Sequence, residues 1–304
     1  MRTVAAQHLA GSVYLLTGAG GTMAASAGSD GLLLVDSGPV PLTDGRYVAL
    51  LEQLRTAIEE IGSGSPRFVV NTHAHSSNIG GNAMFGAEAR IVAHTKVRDR
   101  LTGKLRPGKR RIEAVVGPPH RGSHSESFWE RWDRRRPVRR VRSAYSKEAM
   151  PVLTYDDGMS IQFNGEEVVI GHLPAGVTDG DSFVHFTGSN VVHVGDQFRP
   201  GRFPYVDMSY GGNAVGLRES IGWLIDYLPY DVKVVSSHGP VSSVDDLKTY
   251  HRMLTECVAV VKDAKDAGKR LKKIRAAGLP TEWSGWGWGG ITEPVFIGFI
   301  YDSL

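Results

Sequence analysis

The chain has 304 residues, of which 41% are hydrophobic and 22% charged, and its net charge is +3. That balance excludes a disordered or fibrous chain and supplies enough apolar residues for a substantial core. The lone cysteine, Cys257, excludes an internal disulfide or thiolate metal site; with no long apolar run and no leader-like amino terminus, a cytoplasmic location without membrane contact is expected.

Up to residue 40, apolar runs at 12–17, 23–26 and 31–36 alternate with glycine and predict antiparallel strands joined by tight turns. Gly18-Ala-Gly-Gly21 is followed by no helix and no lysine, so it predicts a hairpin turn and not a phosphate loop. Val48, Leu51, Leu54 and Ile58 recur at helical spacing and predict a helix over 44–61. Pro66 then opens the apolar strand Phe68-Val69-Val70, which leads to His73; a small helix and a strand at 89–93 follow.

Residues 98–142 hold 15 of the 35 Lys and Arg against five acids, so this segment is about +10 and the remainder about −7. Pro107, Gly108, Pro118, Pro119 and Pro137 interrupt any single long helix, which gives a basic helical insertion at about 98–145. Such a patch suits an acidic carrier protein or a phosphorylated group, or serves only as a solvated arginine-rich face. Nucleic acid is not expected, because no nucleic-acid motif accompanies the charge.

Strands resume at 152–155, 159–163, 167–171, 182–186 and 190–194, then a helix at 213–228, a strand at 233–236 and a long helix at 245–267. Strands followed by helix, strand and helix occur twice, with no short repeat or linker. The expectation is a single domain over 1–304 of α+β class, two mixed sheets with helices outside.

Four positions share one local pattern, an apolar strand followed at once by a potential ligand. They are His73 and His75 after 67–70, Asp196 after 190–195, and His238 after 233–237. Singly, each suits a structural role; together, ligands at the ends of several strands converge on one rim where a pocket can form.

These motifs carry a resemblance that spans nearly the whole chain. Asn71-Thr-His-Ala-His-Ser-Ser-Asn-Ile-Gly-Gly resembles the HxHxDH metal loop of the metallo-β-lactamase-fold superfamily. Gly31-Leu-Leu-Leu-Val-Asp36 resembles its early strand ending in aspartate, and Pro174-Ala-Gly-Val-Thr-Asp-Gly-Asp181 the loop that supplies a third histidine. Val192-His-Val-Gly-Asp196 resembles the strand bearing the bridging aspartate, and Ser236-Ser-His-Gly-Pro-Val241 the last histidine loop. The resemblance implies an αββα sandwich.

Active relatives bind two metals, and this chain departs from their ligand set. Val177 replaces the third histidine, and Ser77 and Asn78 replace the Asp and His of the second site. His73, His75 and Asp196 remain as a two-histidine, one-carboxylate set suited to one zinc, or to iron or manganese, with His238 as a fourth candidate. Two-metal occupancy is not expected, and a metal-free site stays open. Asp179 or Asp181 could replace a lost ligand, though acids in such a turn more often bond to backbone amides. Ser77 and Asn78 could orient substrate, while His73, His75, His172 or His238 could serve as general acid or base.

The resulting expectation is an enzyme of specialised metabolism acting on a small ester, lactone, thioester or polyketide-like substrate. It would work by hydrolysis at one metal or by metal-independent rearrangement, cyclisation or elimination. The alternatives are a non-catalytic homologue that binds an acidic partner through the insertion, and a hydrolase whose second metal uses unrecognised ligands. The Trp283 to Trp288 segment is read as a terminal pin, a pocket wall or an oligomer contact, 203–207 as the pocket entrance, and His120, His124 and His251 as surface residues.

Overall fold

The alternation of side chains along each strand decides which layers it joins. In β4 (Gly31–Val35), Leu32 and Leu34 pack with Leu51, Leu54 and Ile58 of α1 (Arg46–Ile61). Leu33 and Val35 turn to the opposite face and join Phe163, Val184, Phe186 and Val235. β5 (Phe68–Asn71) divides in the same way, Val69 toward α1 and Val70 toward the second sheet. The computed structural model describes residues 4–38, 46–62, 64–105, 108 and 145–304.

The first sheet has seven strands in chain order: β1 (Ala5–Ala10), β2 (Val13–Thr17), β3 (Met23–Gly28), β4, β5, β6 (Arg90–His94) and β7 (Leu153–Tyr155). β1 to β4 pair antiparallel, and β4 to β7 pair parallel. The second has the order β12-β11-β10-β9-β8, built from β8 (Gly158–Phe163), β9 (Glu166–Leu173), β10 (Asp181–Phe186), β11 (Val191–His193) and β12 (Lys233–Val235). Only β11 and β12 pair parallel there.

Three short helices, α2 (Ser76–Ile79), α3 (Asn82–Phe85) and α4 (Thr95–Leu101), follow strands of the first sheet. The outer face of the second sheet is covered by α5 (Ala214–Tyr227), α6 (Val244–Asp266), α7 (Leu271–Ala277) and α8 (Glu293–Ser303). Its core joins Phe183, Val192 and Val234 to Leu217, Ile221, Leu254 and Phe296. Each such fully buried side chain contributes about 1.5–3 kcal/mol. The layers therefore run helix, sheet, sheet, helix, an αββα sandwich of α+β class.

Two differences from the sequence reading have local causes. β1 has no counterpart there, because Ala-Ala-Gln-His-Leu-Ala carries no β-branched or aromatic residue. α8 is equally invisible, because Phe296 to Ile300 are all buried and no amphipathic stripe marks the helix. The tryptophan segment packs as a pin: Trp283 is 2% exposed, its Nε1–H donates to Glu256 at 2.8 Å, and its ring meets Trp286 edge-on. The broken helices predicted around Pro118, Pro119 and Pro137 lie outside the described residues.

Strands β4 to β7 run parallel, so their carboxyl ends share one rim, and β11 and β12 bring theirs to it. That rim is where open sheets bind ligands, because the following loops can converge there.

Candidate metal centre

The two sheets close on each other at a glycine. Gly195 follows β11 with φ +57°, and a Cβ there would stand 2.8 Å from Thr72 Oγ1 at the end of β5. Glycine both adopts this conformation and permits the approach. His73 and His75 thereby meet Asp196.

His73 Nε2 lies 3.0 Å from His75 Nδ1 and 3.8 Å from Asp196 Oδ2, and the three ligand atoms fall within 4.8 Å of one another. Zinc bonds of about 2.0–2.1 Å in a tetrahedron place neighbouring ligand atoms about 3.3 Å apart, within this spread. Asp196 Oδ1 is buried and without a hydrogen-bond partner. A buried carboxylate with an oxygen left without a hydrogen bond is costly, and a cation on its other oxygen would offset the cost. The donor set and the orphaned oxygen both fit a metal.

The neighbouring hydrogen bonds assign the tautomers. Asp36, at φ +65°, receives the Thr72 amide at 2.8 Å, the Thr72 hydroxyl at 2.9 Å and the Asn78 side-chain amide at 2.8 Å. With its hydroxyl proton given to Asp36, Thr72 Oγ1 can only accept from His73 Nδ1, 3.0 Å away, which leaves His73 Nε2 as a bare lone pair. His75 Nε2 donates to Asp207 Oδ2 at 3.1 Å, so its Nδ1 is the atom turned to the cluster. Each ring is fixed by its far nitrogen, the arrangement that orients metal-ligating histidines.

Electrostatics follow from burial and these partners. Burial lowers the His73 imidazole to about 3, against the opposing pull of Asp196. Burial also disfavours charge on His75, but the Asp207 hydrogen bond and charge outweigh it and raise its pKa. Asp196 is disfavoured as an anion by burial, yet His73, His238 and Arg199 hold it below the usual carboxylate range. Burial pushes Asp36 up to about 7 despite its three donors, so the His73 tautomer with a bare Nε2 strengthens above that pH. Asp207, against a burial penalty, is drawn down to about 2 by His75 and Ser209.

The remaining predicted residues divide by position. His238 Nε2 lies 3.8 Å from Asp196 Oδ1, on the other side of the carboxylate, and does not join the three-atom cluster. Ser77 Oγ donates to Asn78 Oδ1 at 2.7 Å, and Asn78 Nδ2 reaches both Asp36 and, at 3.1 Å, Ser237 Oγ. Asn78 therefore braces the loop. Val177 is buried as wall. Asp181 accepts from the Thr178 amide and hydroxyl and from Gln197, and Asp179 pairs with Arg100 at 2.6 Å, so both acids have protein partners. His172 sits apart, stacked on His94 with ring centroids 3.8 Å apart. His251 is partly exposed on α6, and His120 and His124 lie outside the described residues.

Asp207 is the residue that sequence reasoning missed as a partner. It stands 132 positions from His75, and its one local signal is that of a turn cap, accepting from the Ser209 amide and hydroxyl at 3.0 and 2.5 Å. The expected pocket entrance at 203–207 thus supplies a buried anchor for His75, whose ring also faces Tyr205 and Tyr210 at 5.8 and 5.7 Å.

No family model matches the sequence, and no curated protein matches it. Solved structures do. The chain is similar to the inverting sec-alkylsulfatase Pisa1 from a Pseudomonas species, with 12% identity and a TM-score of 0.66 over 98% of this chain and 50% of that one. It thus spans half the length of that relative. It is also similar to a metallo-β-lactamase from Pontibacter korlensis, with 15% identity and a TM-score of 0.58 over 83% of this chain and 99% of that one. The B3 metallo-β-lactamase BLEG-1 superposes with 20% identity and a TM-score of 0.52, over 77% and 94% of the two chains.

Proposed function

We propose that this chain, which has the metallo-β-lactamase fold, is a hydrolase-like enzyme that uses a single metal ion on a small organic substrate such as an ester, lactone or thioester. The observation that carries the reading is the convergence of His73, His75 and Asp196, with one ligand atom of each within 4.8 Å of the others and the far nitrogen of each ring already committed. Those three residues would hold the ion. A zinc ion so placed polarises a carbonyl and lowers the pKa of water toward neutrality.

The chain's own residues supply the rest. Thr72 and Asp207 keep both imidazoles in their ligating tautomers, so little reorganisation accompanies binding. His238 is the most exposed of the four predicted ligands, and burial together with Arg199 keeps its pKa below the ordinary value despite Asp196. Neutral at pH 7, its imidazole accepts a proton from water and returns it to the leaving group. The aromatic rings of Tyr205 and Tyr210 shield the buried His75 imidazole. The likeness to a sec-alkylsulfatase and to metallo-β-lactamases supports hydrolysis as the reaction class.

A second reading has its own observation. Without metal, a proton between His73 Nε2 and His75 Nδ1 completes a buried chain from Asp207 to Asp36, suited to rearrangement or elimination by proton transfer. Turnover across an ester, lactone and thioester panel, with chelator-treated and zinc-reconstituted protein, separates the two. Activity that returns only with zinc and vanishes in His73→Ala supports the metal enzyme. Equal activity in both preparations selects the metal-independent chemistry.

A further inference from the structure

Beside His238 an open cleft of about 240 Å³ separates the hairpin turn at 18–22 from the loop at 237–239. The two walls are tied by the Thr22 amide, which donates to Ser237 O at 2.8 Å. Among the described residues the lining has no carboxylate and no large apolar side chain. It consists of glycine backbone, two hydroxyls and one imidazole.

Donors on both of its walls are left unengaged. Among the described residues, no hydrogen bond engages the amides of Gly20 or Gly21, and the Thr22 hydroxyl has no partner. Ser237 Oγ accepts from Asn78 at 3.1 Å, which leaves its own proton to donate. Gly18 and Gly20 both have φ +96°, a conformation that side chains avoid, so glycine at these positions keeps the turn's backbone uncovered. Successive uncovered amides of this kind form an anion-binding concavity. The Arg199 guanidinium, stacked 4.0 Å over the Trp288 ring, adds positive potential sensed by both His238 and Asp196.

We infer that this cleft binds an oxyanion, a carboxylate, sulfate or phosphate group carried by the substrate, through the amides of Gly20 and Gly21 and the hydroxyls of Thr22 and Ser237. The inference rests on the proposed metal reading, because it places the anion of the substrate one residue away from the reacting centre. An acidic substrate would dock its charged end on the turn and present its scissile bond to the cluster behind His238.

The test is a titration of glycine- and alanine-labelled protein with sodium sulfate and inorganic phosphate at constant ionic strength, followed by amide NMR, with zinc binding measured separately by calorimetry. Saturable shifts concentrated at Gly20 and Gly21 are expected. Gly21→Val adds a Cβ 3.3 Å from Ser237 O and 3.9 Å from His238 Cε1, and should weaken the anion about tenfold while zinc binding and melting stay unchanged. Shifts spread over the basic segment, or an unchanged affinity in Gly21→Val, would overturn the inference. If zinc fails to bind but the turn amides still titrate, the cleft stands and the metal reading falls. If zinc binds and the amides stay silent, the reverse holds.

Discussion

Replacing Asp207 by asparagine tests the tautomer argument at its most sensitive point. The Ser209 backbone amide is an obligate donor 3.0 Å from Asp207 Oδ1. In Asp207→Asn the new side-chain amide therefore keeps its oxygen on the Ser209 side and turns its NH2 toward His75. His75 Nε2, 3.1 Å away in the native chain, must then accept, so the ring can no longer give up the proton it shares with His73 through Nδ1 while keeping one on Nε2. Loss of an outer-shell partner typically costs 10–100-fold in metal affinity, about 1.4–2.7 kcal/mol. Asp207→Asn should lie at the upper end of that range and Asp207→Ala at the lower, since alanine removes the orientation without enforcing the wrong tautomer. Competition against a chromophoric chelator measures both, with thermal melting as the control for folding. Native affinity in Asp207→Asn, or weaker binding in Asp207→Ala than in Asp207→Asn, would refute the assignment.

Three further outcomes follow from the same network. Zinc binding near pH 7 should release about one proton, the one between His73 Nε2 and His75 Nδ1, and calorimetry in buffers of different ionisation enthalpy reads it directly; no buffer dependence would contradict the shared proton. Asn78→Ala removes a buried donor from Asp36 and should lower stability by about 1–3 kcal/mol in chemical denaturation, whereas an unchanged midpoint would show that Asn78 does not brace the loop. Burial, followed by the neighbouring His172, lowers His94 to about 4 from an ordinary 6.5, so its contribution to stability is complete above pH 6.5 and is lost as pH falls toward 4. His94→Asn keeps a cap acceptor for Lys96 without the titration and should flatten the stability profile across that window; an identical slope would remove His94 as its source.

The sandwich was legible because its strands alternate or run apolar on both faces, as in Leu32 to Val35, and because the ligand loops follow parallel strand ends. His73, His75 and Asp196 could be placed together from that pattern. His238 sits beyond Asp196 for a reason no spacing reveals, since the side of a carboxylate that a neighbour approaches is set by packing of the 237–239 loop. Asp207 was illegible as a partner because a turn cap and a histidine anchor leave the same local sequence. The departures from the ligand set of the resembled family were visible as Ser77, Asn78 and Val177, whereas the bonds of Asn78 to Asp36 and Ser237 emerge only when three loops meet.

The most direct measurement of the central claim is metal content per chain after zinc-replete expression and exhaustive dialysis, in native protein and in Asp196→Ala. The account predicts about one zinc in the native chain and its loss in the variant. Less than about 0.2 zinc per chain, or about two retained through dialysis, would contradict a single site built from His73, His75 and Asp196.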